Sequence, residues 1–170
     1  MKPKKKNIVI LIIIAAVLFV GLSIYNFLQD PDSIKPSYSI NAEGRKDNVL
    51  IATEGSNFKE SVLEKVVDFC KGNGISLSII NVSQLTDIEA KNWDGIIILS
   101  AIINYKLDPA IDKFLENNQD YNEIFMYNTS TSTVLEKGDR KIDAITSASK
   151  ETNINKCASA IINFIDNSSK

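Results

Sequence analysis

Val49-Leu50-Ile51-Ala52-Thr53-Glu54-Gly55-Ser56-Asn57-Phe58 opens the folded body and sets its class. Five residues of β-forming character run into a small polar turn. Behind the turn, Phe58, Val62, Leu63, Val66, Val67 and Cys70 recur at the 3.6-residue spacing of a helix with one apolar face. The order is strand, then helix. Gly72-Asn73-Gly74 ends that helix, because Gly and Asn accept the left-handed conformation at a helix C-terminus, and Ile75 to Val82 supplies a second strand. Thr86 with Glu89 three residues on predicts a short helix opened by a capping box. Gly95-Ile96-Ile97-Ile98-Leu99-Ser100 is apolar without alternation, as expected of a central strand covered on both faces. Asp108 caps and Pro109 opens a third helix carrying Ile111, Phe114 and Leu115. Glu123 to Tyr127 and Arg140 to Ile145 read as strands four and five, and a last helix over about Asn153 to Asp166 buries Ile154, Cys157 or Ala158, Ile161 and Ile165. Five strands alternating with helices imply right-handed parallel β-α-β units, hence an α/β, three-layer, five-stranded parallel sheet ordered 2-1-3-4-5.

Upstream of this body the chain changes character. Residues 1–6 form a basic tip with lysines at 2, 4, 5 and 6, and Ile8 to Leu28 is apolar apart from Ser23 and Asn26 in its last turns. At about 1.5 Å per helical residue the run reaches roughly 30 Å, the thickness of a hydrocarbon core, so residues 7–28 are expected to form a single transmembrane anchor. Lysines before it and Asp30 and Asp32 after it orient the tip to the cytoplasm and the body to the outer side of the membrane. A cleaved signal peptide is the main rival, although Gly21-Leu22-Ser23 fits the small-x-small cleavage pattern poorly; a buried core helix is the other. Residues 29–47, with Pro31, Pro36 and Gly44 and no apolar period, read as a linker, and the domain occupies residues 48–170.

Composition narrows the chemistry. The 170 residues carry 19 Lys+Arg against 21 Asp+Glu, and beyond Leu28 the balance is 15 against 21. An acidic body without a basic stripe argues against nucleic acid. With no histidine there is no Ser-His-Asp or Cys-His pair and no imidazole metal ligand. Two cysteines supply neither a four-cysteine zinc site nor a disulfide framework. Cys70 near the end of the first helix and Cys157 near the start of the last are offset by roughly 10 Å or more along parallel axes, so two free, buried thiols are expected. No phosphate-binding G-x-x-x-x-G-K-[ST] loop, G-x-G-x-x-G turn or receiver-domain acidic pair occurs. These absences favour a binding domain over a hydrolase or transferase.

In such a sheet ligands bind outside the carboxyl ends of the strands. That edge gathers Thr53 to Asn57 after strand one, Ser100 to Tyr105 after strand three, Tyr127 to Thr133 after strand four, and Thr146 to Lys150 after strand five. Helix N-termini on the same edge add backbone N–H donors suited to phosphate. Each piece also has a plain structural reading: Ser56 or Asn57 as a helix cap, Thr129 to Thr133 as a solvated loop, Tyr105 and Tyr127 packed on the scaffold, and Glu54 as a solvated acid. Trp93, ahead of strand three, belongs to the opposite edge.

Across about residues 48–166 this pattern resembles the flavodoxin family. Thr53 matches the early hydroxyl of that family's phosphate loop and Gly55-Ser56-Asn57 resembles its turn, while Phe58 replaces a second threonine, Val62 replaces alanine, and no glycine occurs in Asn128 to Thr133. The resemblance implies FMN as cofactor. Thr53, Ser56 and Asn57 would hold its phosphate, Tyr105 and Tyr127 would flank the ring, Asn128 and Thr129 would bond its polar edge, and Ser100 would also belong to the cofactor site. Asp143-Ala144-Ile145-Thr146-Ser147-Ala148-Ser149 also resembles the flavinylation segment of exported FMN-binding domains, with Ser149 at the acceptor position and Lys150-Glu151 departing from the usual continuation. Two functions follow. One is a tethered FMN domain passing electrons to a redox or membrane protein partner. The other is a flavodoxin-like scaffold that has lost its cofactor and serves as an interaction or accessory module.

Overall fold

The computed structural model describes residues 16–21, 38–40, 47–102, 107–129 and 143–168. The chain divides into two compact units, Met1–Pro31 and Asp32–Lys170. In the first, residues 16–21 are helical, with Val17, Leu18, Phe19 and Val20 exposed. The basic tip and the rest of the expected anchor over 7–28 lie outside the described residues. Among the described residues no helix is long and apolar enough to cross a membrane.

The second unit is built on a six-stranded sheet ordered β1-β3-β2-β4-β5-β6, from β1 (Tyr38–Ile40), β2 (Asn48–Thr53), β3 (Ser76–Asn81), β4 (Gly95–Ala101), β5 (Ile124–Thr129) and β6 (Asp143–Ser147). Strands β2 to β6 are mutually parallel and carry the 2-1-3-4-5 order read from the sequence. The strand count is corrected from five to six. Strand β1 lies within the stretch read as a linker and pairs antiparallel with β3, Tyr38 opposite Ile79 and Ile40 opposite Leu77. Three residues behind a proline are too short to show a two-residue period, so tertiary pairing, with Ser39 and Ser78 hydroxyls 3.0 Å apart, defines this strand.

Alternation along the strands sends side chains to two cores. Val49, Ile51, Ile97, Leu99, Phe125 and Tyr127 meet α1 (Asn57–Asn73) and α3 (Ile154–Ser168), which contribute Val62, Val66, Cys70, Cys157, Ile161 and Ile165. Leu50, Ala52, Ile96, Ile98, Ile124 and Met126 face α2 (Pro109–Asn117) through Ile111, Phe114 and Leu115. The helix boundaries follow from capping. Gly74 closes α1 at φ 70°, where its N–H reaches the Cys70 carbonyl, and Asp108 accepts the Ala110 N–H ahead of Pro109. The short helix expected from Thr86 is instead a 3-10 turn over Val82–Asp87, because Asn81 and Gln84 form the reciprocal capping box five residues earlier than Thr86 and Glu89 would. A second 3-10 turn spans Ala90–Asn92, and a third, Glu151–Asn153, leads into α3. Strand β5 continues two residues past Tyr127, and the strand expected from Arg140 is described from Asp143 and runs on to Ser147. Trp93 packs in the α2-side core, and its carbonyl accepts the Tyr121 hydroxyl.

Ile97 sits fully buried at the middle of β4. Ile97→Ala is expected to cost about 2–5 kcal/mol by removing burial and leaving a cavity. The urea midpoint should fall with an unchanged m value; a shift within error would show that this strand is not central to stability.

Candidate functional site

The parallel register brings the ends of β2, β4 and β5 together with the start of α1. Glu54 is the first residue past β2, and one of its carboxylate oxygens accepts the Ala101 N–H at 2.9 Å from the end of β4. The same oxygen is ion-paired with the Lys59 ammonium. Lys59 belongs to the first turn of α1, yet it is only 3% exposed. Ser56 caps this helix, its hydroxyl accepting the Lys59 N–H at 3.2 Å, while its carbonyl accepts the Glu60 N–H. A cleft of about 70 Å³ opens beside this group, lined among others by Glu54, Gly55, Lys59, Glu60 and Tyr38. Burial, and then the charge of Glu64, push the Tyr38 phenol above its ordinary value.

Of the other residues expected at the rim, Thr53, Ser100, Asn128 and Thr129 come together there, with their polar atoms engaged within the fold. Thr53 is buried and its hydroxyl lies 2.9 Å from the Leu99 carbonyl and 3.1 Å from that of Glu54. Ser100 donates to the Asn128 side chain at 2.8 Å, and Thr129 donates to the Ser100 carbonyl at 3.2 Å; all three are buried. These pairs follow directly from the register, which sets Ser100 opposite Asn128 and Ala101 opposite Thr129. Tyr127 does not flank an open cleft: it is fully buried in the core under α1 and α3. Its hydroxyl lies beside Ser147 and Cys157 without hydrogen-bond geometry to either. Burial raises that phenol's pKa, the Ser147 hydroxyl opposes the rise and Cys157 adds to it. Asn57 is exposed at the start of α1. Ser149 is exposed in the turn after β6, where the Ala148 carbonyl accepts the Lys150 N–H and the Asn153 side-chain amide. Tyr105 and residues 130–142 lie outside the described residues.

Sequence reasoning passed over Lys59. The signal available was its spacing, since residues 59, 62, 66 and 70 form one stripe and Val62, Val66 and Cys70 are its apolar members. A lysine on a core-facing stripe next to a strand end needs an acid as partner, and the half-buried Glu54 is that acid. Among the described residues no group of three or more Cys, Asp or Glu is placed to hold a metal ion.

Several solved structures share this fold. A flavodoxin from the domain Archaea matches with a TM-score of 0.50 and 9% identity over 72% of this chain and 99% of its own. A flavodiiron core from Synechocystis sp. PCC6803 matches with a TM-score of 0.52 and 11% identity, over 75% of this chain and 37% of its own. A flavoprotein from Thermotoga maritima gives a TM-score of 0.51 and 16% identity, over 74% and 36% respectively. No family model and no curated protein matches the chain. The chain is an α/β protein with a flavodoxin-like fold, its sheet extended to six strands by the antiparallel β1.

Both cysteines are free and buried. Burial pushes Cys70 up to about 11 and Cys157 up to about 12, from an ordinary value of 9.0. Folded-state thiols that ionise later than unfolded ones contribute stability that is complete below pH 9 and is lost as pH rises through about 11 to 12. A thiol reagent at pH 8 should therefore label no cysteine in the native protein and both in denaturant, and the urea midpoint should decline above pH 9. Native labelling at pH 8 would contradict this placement.

Proposed function

We propose that the chain is a membrane-tethered, extracytoplasmic domain of flavodoxin-like fold that works without a flavin, as an interaction or accessory module for a protein partner at the membrane. The observation that carries this reading is Glu54. In the first loop, where a flavin phosphate would sit, a carboxylate already takes the Ala101 N–H and the charge of Lys59. A phosphate brought to this position would have to displace that carboxylate from both of its partners. The hydroxyls of Thr53, Ser100 and Thr129 are turned inward to carbonyls or a neighbouring amide, and Ser56 is occupied as a cap. These residues do not fit a flavin phosphate. The tether is supported by the apolar run over 7–28 with its flanking charges, and by the exposure of Val17, Leu18, Phe19 and Val20 on helical residues.

A second reading keeps FMN, attached covalently through Ser149. Its support is the exposure of that serine at the end of the segment Asp143 to Ser149. The same experiment separates the two. Full-length protein mixed with excess FMN and passed through gel filtration is expected to show no flavin absorbance. Flavin bands that survive filtration would overturn the cofactor-free reading. In-gel fluorescence of protein taken from cells, lost in Ser149→Ala, would replace it with the covalent one.

The tether predicts that full-length protein sediments with membranes, resists carbonate extraction, and loses its body to protease added outside intact spheroplasts. Recovery in the soluble fraction, or full protection from the protease, would reject it.

A further inference from the structure

We propose that the Glu54 carboxylate is the resident ligand of a built oxyanion site, and that a small exogenous carboxylate or phosphate takes its place when the side chain is removed. The inference rests on the cofactor-free reading above, because it explains what holds the loop's anion position. The anion-binding groups come from two elements, α1 and β4. Lys59 presents an ammonium from a side chain nine-tenths or more buried, and Ala101 presents a backbone N–H from the end of β4. The first turn of the 17-residue helix α1 adds the positive end of its dipole.

Charge and burial explain why the position has to be filled. A buried ammonium without a partner carries a large desolvation penalty. An unpaired Ala101 N–H would add the cost of an unsatisfied donor. Glu54 removes both at once with a single oxygen, and its side chain retains 17% exposure toward the cleft. Glu54 and Lys59 both line the cleft of about 70 Å³. Truncation of Glu54 to alanine vacates the position its carboxylate holds against the ammonium and the Ala101 N–H, and formate, acetate or inorganic phosphate would enter there.

Glu54→Ala in the full-length chain tests this. Unfolding midpoints are measured at constant ionic strength while chloride is exchanged for formate, acetate or inorganic phosphate. The expected result is a saturable rise of about 4–8 °C in E54A, the scale of a binding-linked gain on a domain of this size. Three controls should show only the small, unsaturated response common to all salts: the wild type, whose site is filled; E54Q, whose amide fills the same volume; and E54A/K59M, which lacks the cation. Glu60 and Glu64 line the same cleft. If either took over the lysine, E54A would fold without added anion and show no response, which overturns the proposal. An E54A chain that stays unfolded at every anion concentration overturns it equally, as does an equal response in E54A/K59M. None of these outcomes depends on flavin binding by the wild type, so failure here and failure of the cofactor-free reading are told apart.

Discussion

The parallel register of β2, β4 and β5 governs the rest of the molecule. Each of these strands is covered on both faces, so side chains of either parity have to be apolar until the strand ends. Because the strands run the same way and are joined through helices, their trailing ends and the start of α1 arrive along one rim. Polar groups appear there because there the apolar requirement stops. The same register then pairs those groups, Thr53 with the Leu99 carbonyl and Ser100 with Asn128, so the rim is knitted by hydrogen bonds before any ligand is considered.

Within that rim the Glu54–Lys59 pair has an unusual position. Surface ion pairs contribute little because water screens them, whereas this cation is nearly removed from solvent and depends on its partner. The pair ties the loop after β2 to the first turn of α1, and through the Ala101 N–H it ties both to β4. The loop after β2 thus draws order from its own sequence. The likeness to the solved structures covers the arrangement of the sheet and helices.

Much of the architecture was legible in the residues. Apolar stripes gave α1, α2 and α3, Gly74 and the Asp108-Pro109 step gave their ends, and the unalternating run from Gly95 to Ser100 gave the central strand. What escaped was decided by contacts distant in sequence. Strand β1 exists only because β3 offers an edge to pair with. The turn after β3 took Asn81 rather than Thr86 as its cap because the reciprocal Asn81 and Gln84 bonds begin at the strand's last residue. At the site, the reading ended the fourth strand at Tyr127 and so treated Asn128 and Thr129 as loop residues. The strand runs on to Thr129, which keeps both side chains inside. Lys59 was missed because a charge on a helix is ordinarily solvated, and only its place on the apolar stripe marks it as an exception.

The antiparallel β1 has a bearing on how this protein is handled and how it keeps to itself. By pairing with β3 it occupies backbone N–H and C=O groups that would otherwise face solvent along an edge whose inward side chains, Leu77 and Ile79, are apolar. A chain shortened to begin at Asn48 would lose that cover and offer β3 as a template for another molecule's strand, a route to self-association that a trimmed domain would meet and the longer chain would not.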